Sequence, residues 1–291
     1  MRESAVADAL LTALAPASWG TTYVITTSLL PQRPLFDAAL RALPAGVVLV
    51  ACSRWRPPRA WWPKLAVLAA CNIAIFFGAI YLAASLLSGT VAAIILSSQP
   101  ALTVVLAWLL LAEPPTVRVV GAAAAGLVGV TIVVLRPLGP LPGLGVAAAV
   151  VATVAWAFGT VLTARWGRGV PLLGLLAWQL VLGGAADALA SAVVEGPPPH
   201  LTGANVAGFA YMGAFSTAIA YALWFRGLQR LPANTVAILA LLSPVVATLI
   251  DVVYLGRHLT WLQALGIGLV LGAVVVAQRR RPAAPGAAPA P

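Results

Sequence analysis

Residues 89–112 read Gly-Thr-Val-Ala-Ala-Ile-Ile-Leu-Ser-Ser-Gln-Pro-Ala-Leu-Thr-Val-Val-Leu-Ala-Trp-Leu-Leu-Leu-Ala, without a single charge. As a helix rising about 1.5 Å per residue, this run is long enough to cross roughly 30 Å of hydrocarbon. Near the other end of the chain the plan recurs. Pro232-Ala233-Asn234-Thr235-Val236-Ala237-Ile238-Leu239 leads into Leu242-Ser243-Pro244-Val245-Val246-Ala247. An apolar run, a small polar cluster and a proline therefore occur twice, with Pro100 and Pro244 at equivalent places.

The rest of the chain suits the same solvent. Hydrophobic residues make up 62% of the 291 positions and charged residues 8%, against about 25% charged in a soluble domain. Mean hydropathy is +1.00. Too few charges exist to wet a soluble surface, so most of the exterior faces lipid. The apolar runs are continuous. They lack the alternation over about 10 residues that a membrane β-barrel needs.

Proline, glycine and charge divide the chain into ten apolar stretches: 6–29, 35–53, 64–87, 90–112, 117–135, 143–164, 171–194, 204–227, 233–255 and 260–278. The expected fold class is an all-α membrane protein with ten transmembrane helices. The first stretch outruns the short apolar core of a cleavable signal peptide, so none is expected. The tail from 279 to 291 is rich in proline and alanine and reads as disordered. Orientation follows from the basic residues. With the N-terminus cytoplasmic, Arg2, Arg54, Arg56, Arg59, Lys64, Arg118, Arg165, Arg168, Arg226, Arg230 and Arg279 to Arg281 fall inside, and Arg33, Arg41, Arg136 and Arg257 fall outside, a split of 13 to 4. Both termini are then expected inside. The excess of 17 Lys and Arg over 7 Asp and Glu reads as orientation in the bilayer. A nucleic-acid role would need a solvated basic face, and no soluble domain exists to carry one.

A second internal match joins the first. Ala15-Pro16-Ala17-Ser18-Trp19-Gly20-Thr21 resembles Ala152-Thr153-Val154-Ala155-Trp156-Ala157-Phe158-Gly159-Thr160. Trp19 and Trp156 lie 137 residues apart, and Pro100 and Pro244 lie 144 apart. Two similar offsets predict a duplication of five helices, spanning 6–135 and 143–278. Five is odd, so the second copy enters the membrane inverted, an arrangement that places a site near the midplane between the halves.

Trp19-Gly20 with Tyr23, Ala38-Ala39-Leu40-Arg41, Tyr81-Leu82-Ala83, Ser97 to Glu113, Trp156 to Gly159, Ala177-Trp178-Gln179, Tyr221 to Gly227 and Ser243-Pro244 together resemble the drug/metabolite transporter superfamily, in its EamA-type branch. The resemblance covers nearly the whole chain. It implies two inverted five-helix EamA-like repeats in a bacterial plasma (inner) membrane, and efflux or exchange of small metabolites, often amino acids or related amphiphilic solutes. One departure stands out. The acidic residue after helix four is Glu113, whereas the matching place after helix nine holds Arg257-His258.

Ionisable groups inside hydrocarbon are functional candidates by default. Arg41, Asp187 and Asp251 qualify. Arg41 either snorkels outward, pairs with Asp37 one turn earlier, or meets a substrate charge. Asp187 and Asp251 are the candidates for a proton or charge site, with local pairing or interfacial placement as the alternatives. Asn72, Gln99 and Gln179 fall near mid-bilayer, where an amide either joins helices or lines a wet cavity. Trp19, Tyr23, Phe76, Tyr81, Trp156, Trp178, Tyr211 and Tyr221 are aromatic candidates for that cavity, which would suit amphiphilic solutes. Pro16, Pro100 and Pro244 each remove a helical hydrogen bond and are either packing kinks or hinges. Gly121, Ala125 and Gly129, with Gly268 and Gly272, make small-residue faces on helices five and ten. These serve internal packing or a homodimer contact, so monomer and dimer both stay open.

The expected partners are a small-molecule substrate and the lipid bilayer. No cofactor and no metal site is expected, because Cys52 and Cys71 have no ligand spacing around them. A non-transporting scaffold or receptor is the main alternative to a secondary transporter. A membrane-embedded lipid-modifying enzyme ranks last, because the only histidines, His200 and His258, fall in loops.

Overall fold

A computed structural model describes residues 2–87, 89–134, 142–255 and 260–278. Every regular element among them is helical: α1 Arg2–Gly20, α2 Thr22–Leu29, α3 Pro34–Ser53, α4 Trp62–Ala69, α5 Ile75–Leu86, α6 Gly89–Leu96, α7 Gln99–Leu111, α8 Val117–Val134, α9 Gly143–Trp166, α10 Leu172–Val194, α11 Gly203–Gly213, α12 Ala220–Arg230, α13 Ala233–Leu239, α14 Leu242–Leu255 and α15 Trp261–Gln278. Helices satisfy their backbone groups internally, which is what lipid demands of a spanning chain. Eight helical stretches are long and apolar enough to cross a membrane, and Val117–Val133 is a shorter apolar helix. Leu109, Val193, Leu189 and Leu10 lie exposed on the exterior, as expected of side chains that meet acyl tails.

The interruptions matter more than the helices. α6 and α7 are separated by a turn at Ser97-Ser98, just before Pro100, and α13 and α14 by a turn at Ala240-Leu241, just before Pro244. Proline lacks the N–H that would continue the ladder from the preceding turn. Pro16 behaves differently. It lies inside α1, and the break comes at Thr21 instead, where Thr21 folds its N–H and its hydroxyl back onto the Ser18 carbonyl. The helix break therefore falls about one turn after Pro16.

Two more irregularities have no proline. Ala70–Ala74 joins α4 to α5 as a π-helical segment, and Ala214–Ile219 joins α11 to α12 in the same way. At the second, the Ala220 N–H bonds the carbonyls of Phe215 and Thr217 and skips that of Ser216.

Packing joins helices far apart in sequence. α3 runs along α10, α8 along α15, and α7 against α13; α1 packs on α12 and α14, and α9 on α5 and α7. Glycine permits the closest crossings. A Cβ at Gly46 would sit 2.7 Å from the Val181 amide nitrogen, and one at Gly129 would sit 2.8 Å from the Gly266 carbonyl. Gly121, Gly268 and Gly272 have nothing within 4 Å of that position, so only part of the small-residue pattern on α8 and α15 is used within the chain.

The two ends of the bundle differ. At one end Glu195, just past α10, accepts hydrogen bonds from the Leu35 and Phe36 amides at 2.8 and 3.0 Å, capping α3. Arg33 adds bonds to the Glu195 and Pro197 carbonyls, and Asn205 reaches the Leu29 carbonyl at 2.7 Å. At the other, basic end, Asp8 pairs with Arg226 at 2.7 Å and Arg230 at 3.3 Å. Trp178 there donates to the Trp55 carbonyl at 3.0 Å, and Gln229 donates to the Gly167 carbonyl at 2.8 Å. Glu113 lies against the Ala233 and Asn234 amides that open α13. The tail 279–291 and the Arg257-His258 pair lie outside the described residues.

Candidate functional site

A cavity of about 160 Å³ opens between α2, α3, α5, α6, α7, α9, α12 and the α13–α14 turn. It lies toward the Glu195 end. Its walls there are Thr22, Thr26 and Thr27 of α2, Ile80, Tyr81 and Ala84 of α5, and Ala93 and Leu96 of α6. The basic end below it is filled by Leu65, Leu68, Leu175, Trp224 and Leu228, all fully buried.

Aromatic rings close the bottom. Trp19 meets Trp156, Tyr221 and Trp224 with ring centres 5.3, 5.6 and 5.1 Å apart. Phe76 stacks on Trp156 at 4.6 Å. Edge-to-face and offset pairs of this kind add about 0.5–1.5 kcal/mol each beyond their buried area, so the floor is a cohesive unit.

One carbonyl organises the polar side. Because the π segment denies Ser216 its helical donor, the Ser216 carbonyl is free to accept from elsewhere. It takes the Trp19 indole N–H at 3.1 Å and the Arg41 Nη2–H at 3.1 Å. Arg41 Nε donates to the Thr217 hydroxyl at 2.8 Å, and its guanidinium lies 4.5 Å from the Phe77 ring centre. Arg41 is only 5% exposed, so it does not snorkel. Among the described residues it forms no ion pair with Asp37 or any other carboxylate. Both Asp37 oxygens are buried, with the Gln32 and Arg33 backbone beside them and no side-chain partner within 3.5 Å.

Several polar atoms on the cavity wall likewise have no hydrogen-bond partner within 3.5 Å: the hydroxyls of Thr22, Thr26 and Tyr81, and Oε1 of Gln99. The Gln99 amide nitrogen is held by the Thr103 hydroxyl at 2.7 Å, which fixes the oxygen as the free end.

Of the sequence candidates, the cavity brings together Trp19, Arg41, Phe76, Tyr81, Gln99, Pro100, Trp156, Tyr221 and Pro244. Six others lie off it. Asn72 donates to Thr163 at 3.0 Å and to Gln179 at 2.8 Å, which makes both amides interhelical joints. Trp178 sits at the basic end against Trp62. Tyr211 bonds Thr21 at 2.9 Å and stacks on Phe215. Pro16 is within α1, clear of the lining. Asp187 is buried on α10 across from Gly78, with Oδ2 unpartnered, and does not reach the cavity. The side chains of Tyr23 and Asp251 lie outside the described residues.

The residues that sequence reasoning passes over are Thr22, Thr26, Phe77, Ser97, Ser216, Thr217 and Ser243. Thr22 and Thr26 do carry a signal, since two hydroxyls one helical turn apart share a face. Ser216 and Thr217 carry none that separates them from hydroxyls bonded to their own helix.

The architecture and site define a class: a multi-pass helical membrane protein with a partly apolar cavity in its interior. The chain belongs to the EamA-like transporter family, whose pattern matches it twice, over residues 7–135 and 143–278; it is a membrane transporter. It is 37% identical to the protein PecM of Dickeya dadantii (strain 3937) over 91% of this chain and 90% of that one. It is 26% identical to the uncharacterized transporter YvbV of Bacillus subtilis (strain 168) over 96% and 94%. A solved crystal structure superposes with a TM-score of 0.80 at 23% identity, covering 93% of this chain and 97% of that one, a likeness of fold.

Proposed function

We propose that the protein is a secondary transporter of a bacterial plasma membrane that exports or exchanges a small amphiphilic metabolite, such as an amino acid or a related solute, by alternating access. The observation that carries this is the cavity itself. It is lined by both broken helices, at Pro100 and Pro244, and its floor pairs Trp19 with Trp156.

Adding α8 and the α1–α2 pair to the eight long apolar stretches yields ten spans. The two family matches and the packing support two inverted halves. Moving five spans along exchanges the α1–α12 contact with α9–α5 and the α1–α14 contact with α9–α7, while α3–α10 and α8–α15 map onto themselves. The π segments 70–74 and 214–219 begin 144 residues apart, the same offset as Pro100 and Pro244. With the basic end in the cytoplasm, both termini are cytoplasmic and the cavity faces outward. The transition to the inward-facing state then releases the joints around Arg226, Gln229 and Glu113 and closes α2 and α6 over Arg41.

Flux in proteoliposomes tests this. Purified protein should drive counterflow of labelled solute from a broad metabolite panel, with no requirement for ATP. Folded protein that moves none of them would contradict the proposal and favour a scaffold.

A further inference from the structure

Among the described residues the cavity wall carries one charged side chain, Arg41, and no carboxylate. A guanidinium inside hydrocarbon is expensive unless its charge is met. Here its partners, the Thr217 hydroxyl, the Ser216 carbonyl and the Phe77 face, are neutral. They aim the group without discharging it. A guanidinium has five N–H donors; two of them are taken by Thr217 and Ser216, and the Tyr81 hydroxyl is the further polar group beside it. The Tyr81 hydroxyl lies beside Arg41 and the Thr26 hydroxyl, and the Tyr81, Thr26 and Thr22 hydroxyls have no hydrogen-bond partner within 3.5 Å. One wall of the cavity is therefore a cluster of unused donors around a fixed positive charge. The other side is apolar and flat, formed by Phe76 stacked on Trp156 and edged by Trp19.

Resting on the transport reading above, we infer that the solute carries a carboxylate that pairs with Arg41, on a flat apolar body that lies against Phe76 and Trp156. A carboxylate matches the planar fork of a guanidinium. A single guanidinium in a small, largely apolar cavity suits a monoanion better than a phosphate monoester. Gln99 Oε1 is the unpartnered acceptor on the wall and receives an N–H or O–H of the solute. Asp37 and Asp187, the acids buried in neighbouring α3 and α10, do not line the cavity, so a solute's ammonium has no counter-charge among the described residues there.

The test measures equilibrium binding to purified protein through quenching of tryptophan fluorescence, since Trp19 and Trp156 form the floor. The probes are benzoate, phenylacetate and 3-phenylpropionate; the matched amines benzylamine, phenethylamine and 3-phenylpropylamine; and phenyl phosphate. The carboxylates should bind saturably and at least tenfold more tightly than the amines or phenyl phosphate. Arg41→Gln should weaken carboxylate binding at least tenfold, and Arg41→Lys less. Tyr81→Phe, which removes one hydroxyl without changing the ring, should weaken it severalfold while leaving amine binding unchanged. Thermal unfolding and monodispersity check that each variant is folded. Were Arg41→Gln to misfold, the wild-type preference and Tyr81→Phe would decide.

The inference is overturned if no carboxylate binds, if amines or phenyl phosphate bind as well, or if folded Arg41→Gln binds carboxylates unchanged. That last result would make Arg41 a tie between α3 and the Ala214–Ile219 segment. Counterflow separates the two readings. Transport of amines or neutral solutes alone removes the carboxylate and leaves transport standing. Carboxylate binding without flux of any solute leaves the site and removes transport.

Discussion

Polar side chains in this bundle serve one of two ends, and burial alone does not tell them apart. Arg41, Gln99, Asn72 and Gln179 are all buried. The first two face the cavity, while the last two face each other. Depth along a helix can be counted from the sequence, which is why all four stand out there. Direction around the helix depends on which neighbour packs where, and that is settled only by the fold. Hydroxyls are harder still. Thr131, Thr153 and Thr248 bond the carbonyl four residues earlier in their own helices, the ordinary use of threonine in an apolar span. Thr217 instead receives Arg41, and nothing in its sequence context marks the difference. The Asn72–Gln179 joint yields a residue-scale prediction. Asn72→Ala, Gln179→Ala and the double variant, unfolded thermally in detergent, should show a coupling of about 0.6–1.7 kcal/mol, the range measured for hydrogen bonds between membrane helices. Solute affinity of the folded single variants should stay within about twofold of wild type. A coupling near zero would mean the amides do not hold α4–α5 to α10.

Among the elements, the broken helices were legible because proline announces itself, and Pro100 and Pro244 lie beside real turns. Pro16 shows the limit of that signal, because a helix can absorb one missing hydrogen bond and break a turn later, where Thr21 offers an alternative bond. The π segments are invisible in sequence, since one extra residue per turn has no compositional mark. Yet the second of them frees the Ser216 carbonyl on which Trp19 and Arg41 converge. The end caps follow a plan of their own. Glu195 caps α3 from the end of α10, and Glu113 approaches the start of α13 from the end of α7. Burial pushes the Glu113 carboxyl above its ordinary range, against the opposing pull of the Asn234 amide and Arg168. The folded protein therefore binds this proton more tightly than the unfolded chain does. Stability should fall as pH rises from glutamate's ordinary pKa of about 4.3 through the raised folded value, and should recover on acidification. Glu113→Gln should flatten that slope in thermal unfolding measured between pH 4.5 and 7. An unchanged slope would assign it to other groups.

For the whole molecule, the chain's own regularities carry the account. Few charges, ten apolar stretches and an uneven distribution of arginine are properties of long segments, and they survive errors at any one boundary. The Arg41–Ser216–Trp19 junction depends on three helices meeting, so it needed the structure. The proposed alternating access requires that the same wall residue be reachable from each side of the membrane in turn. Ser97 lines the cavity beside the break before Pro100, and the two native cysteines, Cys52 and Cys71, are both free and can be replaced. Ser97→Cys in that background, treated with a membrane-impermeant maleimide in right-side-out and in inside-out vesicles, is the most direct test. The account predicts labelling from both sides, faster from the outside, with each side's rate shifting in opposite directions when solute is added. Labelling from one side alone, unmoved by any transported solute, would contradict alternating access.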